Sequence, residues 1–296
     1  MEKQFKTLIQ FTAAFTDEET CRAYFERVRF AKGDFCPHCK HTKIFRFSDG
    51  KRYRCEKCRK DFTIKTGTLF GESKISLQKW FIAIYLLTTR KKGISSIELA
   101  EQVGVSQKTA WFMDHRIREA LKQGRGKLGE IVEIDETYIG GKHRRKDGFQ
   151  KKSPIFGMTE RGGKVKAYHV PHRGTEVLLP TLKKHVSPKA MIMSDEARVY
   201  AKLPKVGYFN HGMVKHGKRH WVRGKIHTNS IESFWALFKR NYHGTYHSMS
   251  RKHLQRYIDE ITFRFNGRAL SMQEMFDEVT RRVAKRGKMS YKTLTA

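Results

Sequence analysis

Apolar positions recur at helical spacing in several stretches of the chain and at strand spacing in others. Leu77, Trp80, Phe81, Ile84 and Leu87 lie on one helical face, as do Ala110, Met113, Ile117 and Leu121 further on. Between these stretches Ser95-Ser96-Ile97-Glu98-Leu99-Ala100 opens a helix, Gly104 breaks it, and Ser106 is placed to cap the next. Ile44-Phe45-Arg46-Phe47 and Arg52-Tyr53-Arg54 flank Ser48-Asp49-Gly50, a hairpin signal, and Phe62-Thr63-Ile64 offers a third strand. Ile131 to Glu136 reads as a buried strand ending in acid. Residues 153–159 and 163–170 read as two more strands, Thr175–His185 as a crossing helix, and Ala190 to Asp195 as another apolar strand ending in acid. Ile231 to Arg240 is a strongly amphipathic helix, and Met272–Val283 is a further one.

These patterns divide the chain into five segments. Residues 1–30 form a helical lead-in, with Thr16 or Asp17 as cap of a helix carrying Ala23, Phe25 and Val28. Residues 31–70 hold four cysteines, 71–125 are helical, 126–270 mix strands and helices, and 271–296 form a basic tail. The fifth cysteine, Cys21, sits alone in the lead-in and reads as a buried apolar residue.

Charge narrows the partner. Lys and Arg number 61 against 29 acidic residues, so the 296-residue chain carries a formal +32. A surplus of this size implies a polyanion, with nucleic acid the first candidate. A structural RNA-binding protein would share it, so charge gives the partner class and not the activity. The longest apolar run, Trp80–Leu87, is far short of the roughly 20 residues a membrane span needs. The start, MEKQFKTLIQ, lacks a basic-then-apolar signal pattern. A cytoplasmic, nucleoid-associated protein with no membrane partner is expected, and in a reducing compartment its cysteines point to metal rather than disulfides.

Cys36-Pro-His-Cys39 and Cys55-Glu-Lys-Cys58 are separated by 15 residues. Each turn aims two thiolates at one point, and two such turns complete a tetrahedron around Zn²⁺. With the hairpin between them, this spacing predicts a zinc ribbon. Residues 36–66 carry ten basic and three acidic side chains.

Residues 71–125 predict a helix-turn-helix, whose second helix enters the DNA major groove in proteins that use it so. Gln107, Lys108, Trp111, His115 and Arg118 are expected to face outward from that helix. An ordinary helical bundle is the alternative.

The acids carry the chemistry. The order strand, strand, strand, helix, strand, helix, with Asp135 and Asp195 at strand ends and Glu232 on the last helix, matches an α/β ribonuclease H-like core. Hard oxygen ligands so placed bind Mg²⁺, and two such ions can align an in-line displacement at phosphorus. From Ala197 through Ile258, Glu232 is the sole acid in a field of Lys and Arg. Asn229-x-x-Glu232 also fits a helix capping box, so ligand and cap are both open for Glu232. Glu133 shares a strand face with Asp135, and Glu136 and Glu196 are adjacent acids that can support the site.

Asp135-Glu136-Thr137-Tyr138-Ile139-Gly140-Gly141-Lys142, the Ser194-Asp195 strand end, and His227 to Trp235 together resemble the DDE transposases of bacterial insertion sequences. The closer resemblance is to the group with an N-terminal zinc ribbon. It spans nearly the whole chain, from the ribbon to Asn266-Gly267-Arg268. It implies DNA cleavage that exposes a 3′-hydroxyl, then attack of that hydroxyl on target DNA. Asp135, Asp195 and Glu232 would hold two Mg²⁺ ions, with Asn229 the alternative third residue. Lys239, two helical turns beyond Glu232, matches a basic residue that such transposases place against DNA. Lys142, Arg144, Arg145 and Lys146, just past Asp135, are placed to hold DNA too. The ribbon and the helix-turn-helix would recognise the element ends, and two ends must meet, so a homodimer or higher oligomer on double-stranded DNA is expected. A DNA-binding regulator without catalysis is the alternative function; it leaves the spaced acids unexplained.

Overall fold

The computed structural model describes residues 5–140, 152–214 and 226–295. In chain order the first elements are α1 (Leu8–Ala14), α2 (Glu18–Arg29), β1 (Ile44–Arg46), β2 (Arg52–Cys55) and β3 (Asp61–Thr63). Three helices follow: α3 (Leu77–Thr89), α4 (Ser96–Val103) and α5 (Gln107–Ala120). Next come β4 (Ile131–Ile139), β5 (Ser153–Glu160), β6 (Val165–His169), α6 (Thr175–His185), β7 (Met191–Ser194) and β8 (His211–Met213). The chain ends with α7 (Asn229–Asn241), α8 (Leu254–Asn266), α9 (Met272–Lys285) and α10 (Tyr291–Thr295). These elements divide into two compact units, one of residues up to Leu121 together with those from Ala269, the other Lys122–Arg268. No helix among the described residues is long and apolar enough to cross a membrane.

In the first unit the helix starts follow the capping chemistry of the sequence. Asp17, rather than Thr16, caps α2 by accepting from the Thr20 N–H at 2.7 Å. Ser76, Ser95 and Ser106 cap α3, α4 and α5 in the same way. Gly104 ends α4 at φ 62°, a left-handed conformation that glycine adopts without strain. Phe11, Phe15, Phe81 and Phe276 pack edge to face, which joins the lead-in and α9 to α3 in one aromatic core. Cys21 is fully buried, and that burial pushes its thiol up to about 12, an inert apolar role. The antiparallel β1-β2-β3 sheet pairs Phe45 with Arg54 and Tyr53 with Phe62, and Gly50 turns the hairpin at φ 60°.

One expectation for α5 is corrected. Lys108 is exposed, but His115 and Arg118 are buried rather than outward-facing, and Trp111 is half-buried. His115 packs edge-on against the Trp111 ring, with centroids 4.4 Å apart, and the cover on Trp111 comes from past Leu270. Residues expected as a basic tail return to this helix: the Met289 carbonyl accepts from Arg116, and the Tyr291 ring packs against Trp111 and Phe112. Arg118 lies 3.9 Å from Asp114, so two charges one helical turn apart share the interior.

The second unit is built on a mixed five-stranded sheet in the order β6-β5-β4-β7-β8. β5 runs antiparallel to β4 and to β6; β7 is parallel to β4, and β8 to β7. Strand alternation sends Val132 and Ile134 to one face, where they pack with Phe156, Ile192, Leu178, Leu182 and Tyr200. The other face carries Ile139, Ile155 and Ala167 against Ile231, Phe234 and Trp235 of α7 and Ile258 of α8. β4 is thus central, with apolar side chains packed on both faces and its acids interspersed among them.

Candidate active site and the cysteine cluster

The Cys36, Cys39, Cys55 and Cys58 sulfurs lie within 4.8 Å of one another. Cys36 and Cys58 Sγ are 3.7 Å apart, and Cys39 and Cys55 Sγ 3.5 Å. Those separations are far beyond a disulfide bond and close to the ~3.8 Å edge of a tetrahedron with Zn–S of about 2.3 Å. Two near-identical turns create the cluster. Lys40 N–H donates to the Cys36 carbonyl and Arg59 N–H to the Cys55 carbonyl, and Lys40 and Arg59 both take positive φ, at 65° and 56°. Within each turn a backbone N–H also points at a sulfur, His38 at Cys36 and Cys58 at Cys55. The donor set and its spacing fit zinc.

The three carboxylates are supplied by three elements. Asp135 is on β4, Asp195 follows the end of β7, and Glu232 is in the first turn of α7. Burial pushes the Asp135 carboxyl up to about 6. The Glu136 N–H opposes that rise, the charge of Asp195 adds to it, the Trp235 indole opposes it, and the charge of Glu232 adds again. Like charges are therefore focused here, an arrangement that a divalent cation relieves. Among the described residues, the four cysteines have their ligand atoms within 4.8 Å of one another; the three carboxylates are coupled through space but are not drawn that close.

Glu136 points to the opposite sheet face. Burial pushes its carboxyl up to about 7; the Tyr200 hydroxyl beside it opposes this, and the charges of Asp135 and Asp195 contribute to it. Asp195 accepts the Ala197 N–H at 3.0 Å, which fixes the turn after β7. Just before it, the Ser194 hydroxyl donates to the Asp195 carbonyl and sits 2.8 Å from His211 Nε2 on β8.

The start of α7 differs from a capping box on Asn229. Thr228 is the N-cap, so Glu232 falls one position too late to close such a box, and its Oε1 accepts from the Thr228 hydroxyl at 2.8 Å. The Ser230 and Ile231 N–H groups donate instead to Glu133 on β4.

Gly157 has a role that sequence reasoning missed. It pairs with Asp135 across β4 and β5. A Cβ there would come within 2.4 Å of the Trp235 ring and 2.9 Å of Ile231. The bare backbone lets α7 lie close to the strand that carries Asp135. A glycine in mid-strand was the available signal.

Of the residues expected to touch DNA, Lys108 and Lys239 are exposed. Lys239 shares the exposed face of α7 with Glu232. Lys142, Arg144, Arg145 and Lys146 lie outside the described residues.

Residues 127–266, which contain the carboxylates, match the ISXO2-like transposase domain, and residues 16–61 match the transposase zinc-ribbon domain. An uncharacterized protein of the transposable element ISH50 from Halobacterium salinarum is 28% identical, with 76% of this chain and 83% of that protein covered. An uncharacterized transposase-like protein from Haemophilus influenzae is also 28% identical, over 37% of this chain and 87% of its own length.

Proposed function

The chain belongs to the insertion-element transposases that carry a zinc ribbon ahead of the transposase domain, and from that premise we propose that it binds the ends of its element, cleaves the DNA to expose a 3′-hydroxyl and joins that end to target DNA. The observation that carries this reading is the placement of Asp135 on central β4, Asp195 just past the parallel strand β7 paired with it, and Glu232 in the first turn of α7, three acids supplied by three separate elements of the transposase domain.

The sheet order, with β4 central, two antiparallel neighbours on one side and two parallel strands on the other, supports a ribonuclease H-like core. In such a core Asp135, Asp195 and Glu232 would hold Mg²⁺. Their oxygens are the hard donors that ion takes, and their mutual repulsion is what it would neutralise. When bound, Mg²⁺ stabilises charge on the attacking and leaving oxygens of a phosphoryl transfer. The chain's own part is to hold three carboxylates in register and to keep Lys239 on the exposed face of the same helix, where it can meet a phosphate.

DNA recognition falls to the first unit. The α4–Gly104–α5 arrangement supports a helix-turn-helix, in which the N-terminal residues of the second helix meet base edges. Gln107 and Lys108 occupy those positions and are exposed. Burial of His115 and Arg118 confines the contact to that end of α5. The basic ribbon adds phosphate contacts, and pairing of two ends implies at least a dimer on DNA. A regulator without catalysis leaves the coupled acids without a purpose.

The test is a cleavage assay on a defined element end, run with Mg²⁺ and with EDTA. Nicking at the end in Mg²⁺ alone supports the reading. Tight end binding with no nicking in any divalent cation would replace it with the regulator.

A further inference from the structure

We propose that Glu133 is a positioning residue of the carboxylate site: its side chain fixes where α7 begins on the sheet, and so holds Glu232 in register with Asp135. This rests on the divalent-cation reading above.

Glu133 is fully buried, yet its carboxylate is met by donors on every side. Oε2 accepts the N–H of Ser230 at 2.7 Å and of Ile231 at 3.1 Å. Oε1 accepts the Ser230 hydroxyl at 3.1 Å and Arg161 Nε at 2.8 Å, and lies 3.3 Å from His227 Nδ1. Arg161 also donates to the His227 carbonyl at 3.0 Å, so the residues leading into α7 are gripped by the same network.

The N–H groups of a first helical turn are ordinarily satisfied by the cap residue next to them. Here the cap residue, Thr228, gives its hydroxyl to Glu232 and makes no side-chain capping bond. The capping is done by a residue 97 positions earlier, on the central strand. A local cap would fix only where the helix starts; a cap from β4 also fixes where the helix lies on the sheet. Glu133 and Asp135 are on the same face of β4, about 6.6 Å apart along the strand. Glu232 is the residue after Ile231. One buried carboxylate therefore links the strand that supplies the first acid to the turn that supplies the third.

A charge-balancing role and a positioning role predict different behaviour for Glu133→Asp. That variant keeps the buried negative charge facing Arg161 and His227 but withdraws it from the Ser230 and Ile231 N–H groups. Glu133→Gln keeps the length and removes the charge. The probe is Tb³⁺, a hard cation whose emission is excited through a nearby tryptophan, here Trp235. Each full-length protein is titrated with Tb³⁺, melted in EDTA and tested for binding to an element-end duplex. Half-saturation with Tb³⁺ is expected to rise at least tenfold in Glu133→Asp and Glu133→Gln, with duplex affinity within twofold of the parent and a cooperative melt retained. Asp135→Asn serves as the control for the site itself. If Asp135→Asn binds Tb³⁺ like the parent, the cation site is absent and the reading beneath this inference fails. If Asp135→Asn loses Tb³⁺ while both Glu133 variants keep parental half-saturation, the positioning role is overturned and the site stands. Failure of both Glu133 variants to fold also overturns it, because Glu133 would then be a structural residue alone.

Discussion

The Thr228 hydroxyl donates to Oε1 of Glu232 at 2.8 Å, inside the first turn of α7. This bond separates the two roles that the sequence left open for Glu232. The Glu232 N–H donates to the Thr228 carbonyl, so the helix closes on Thr228 and not on Asn229. Glu232→Gln keeps an acceptor for the Thr228 hydroxyl and removes the charge. It is expected to melt within about 0.5 kcal/mol of the parent, as exposed substitutions do, and to bind element ends with parental affinity while neither nicking nor joining DNA. Gel assays of cleavage and strand transfer check this; an active Glu232→Gln with an inactive Asn229→Ala would give the third position to Asn229.

Gly157→Ala tests how closely α7 must approach β5. The added methyl meets the Trp235 ring at 2.4 Å and Ile231 at 2.9 Å, both rigid and buried, so the helix has to shift. Overpacking of this kind destabilises by about 1–3 kcal/mol. Trp235 and Glu232 are on the same helix, so cleavage should fall more than stability does. Thermal melts and single-turnover cleavage measure the two effects; parental cleavage in Gly157→Ala would show that the site tolerates a displaced α7.

Much of this fold was legible because its elements obey local rules. The β4 run, the Thr175–His185 helix and the paired Cys-x-x-Cys turns were readable from period, caps and spacing alone. What escaped has a common cause in long-range contact. β8 is three residues long and exists as a strand because β7 offers it a parallel edge. His115 and Arg118 read as outward-facing because helical period marks one apolar face and leaves the polar positions to solvent, yet both are buried, and nothing in residues 107–120 announces that Met289 and Tyr291 return to Arg116 and Phe112 of the same helix. Glu133 shared a face with Asp135 in sequence, but its bond to a helix 97 residues later was not visible there.

Arg118 and Lys108 now predict opposite outcomes. Arg118→Ala removes one charge of the buried Asp114–Arg118 pair, and breaking a buried pair destabilises by roughly 3–5 kcal/mol. Lys108 is exposed, with its ammonium 5.1 Å from the Tyr291 ring centre. Lys108→Ala should leave the melt almost unchanged and weaken element-end binding, with a shallower dependence on salt as one phosphate contact is lost. Melting curves and binding at several salt concentrations separate the two. A stable Arg118→Ala that binds DNA poorly would restore Arg118 to the DNA-facing surface.

The zinc ribbon should depend on its metal. Four sulfurs within 4.8 Å of one another would repel as thiolates without a cation between them, and β1 to β3 are only three or four residues each. Chelation is expected to unfold residues 36–66 and to leave the Lys122–Arg268 unit folded, since metal binding in such small modules is coupled to folding. Limited proteolysis with and without chelator, together with elemental analysis, checks this. A ribbon that resists protease after zinc is removed would show that its aromatic packing is sufficient.

The last prediction couples pH to the divalent cation. Burial and neighbouring charge push Asp135 up to about 6 and Glu136 up to about 7, each above its ordinary carboxylate value. A carboxyl whose folded-state value is raised binds its proton more tightly in the folded chain than in the unfolded one. Between about pH 4 and pH 7 the folded state therefore holds the extra protons, and stability falls as pH rises through that window. The loss is on the order of 3 kcal/mol per group at 1.36 kcal/mol per unit. Below about pH 3 both groups are protonated in either state, and the penalty disappears. A divalent cation among these acids counters the same repulsion, so it should stabilise most where they are ionised. The expected result is a larger rise in melting temperature on adding Mg²⁺ at pH 8 than at pH 5, with the difference reduced in Asp135→Asn. Equal Mg²⁺ shifts at the two pH values would mean that the cation acts elsewhere on the protein.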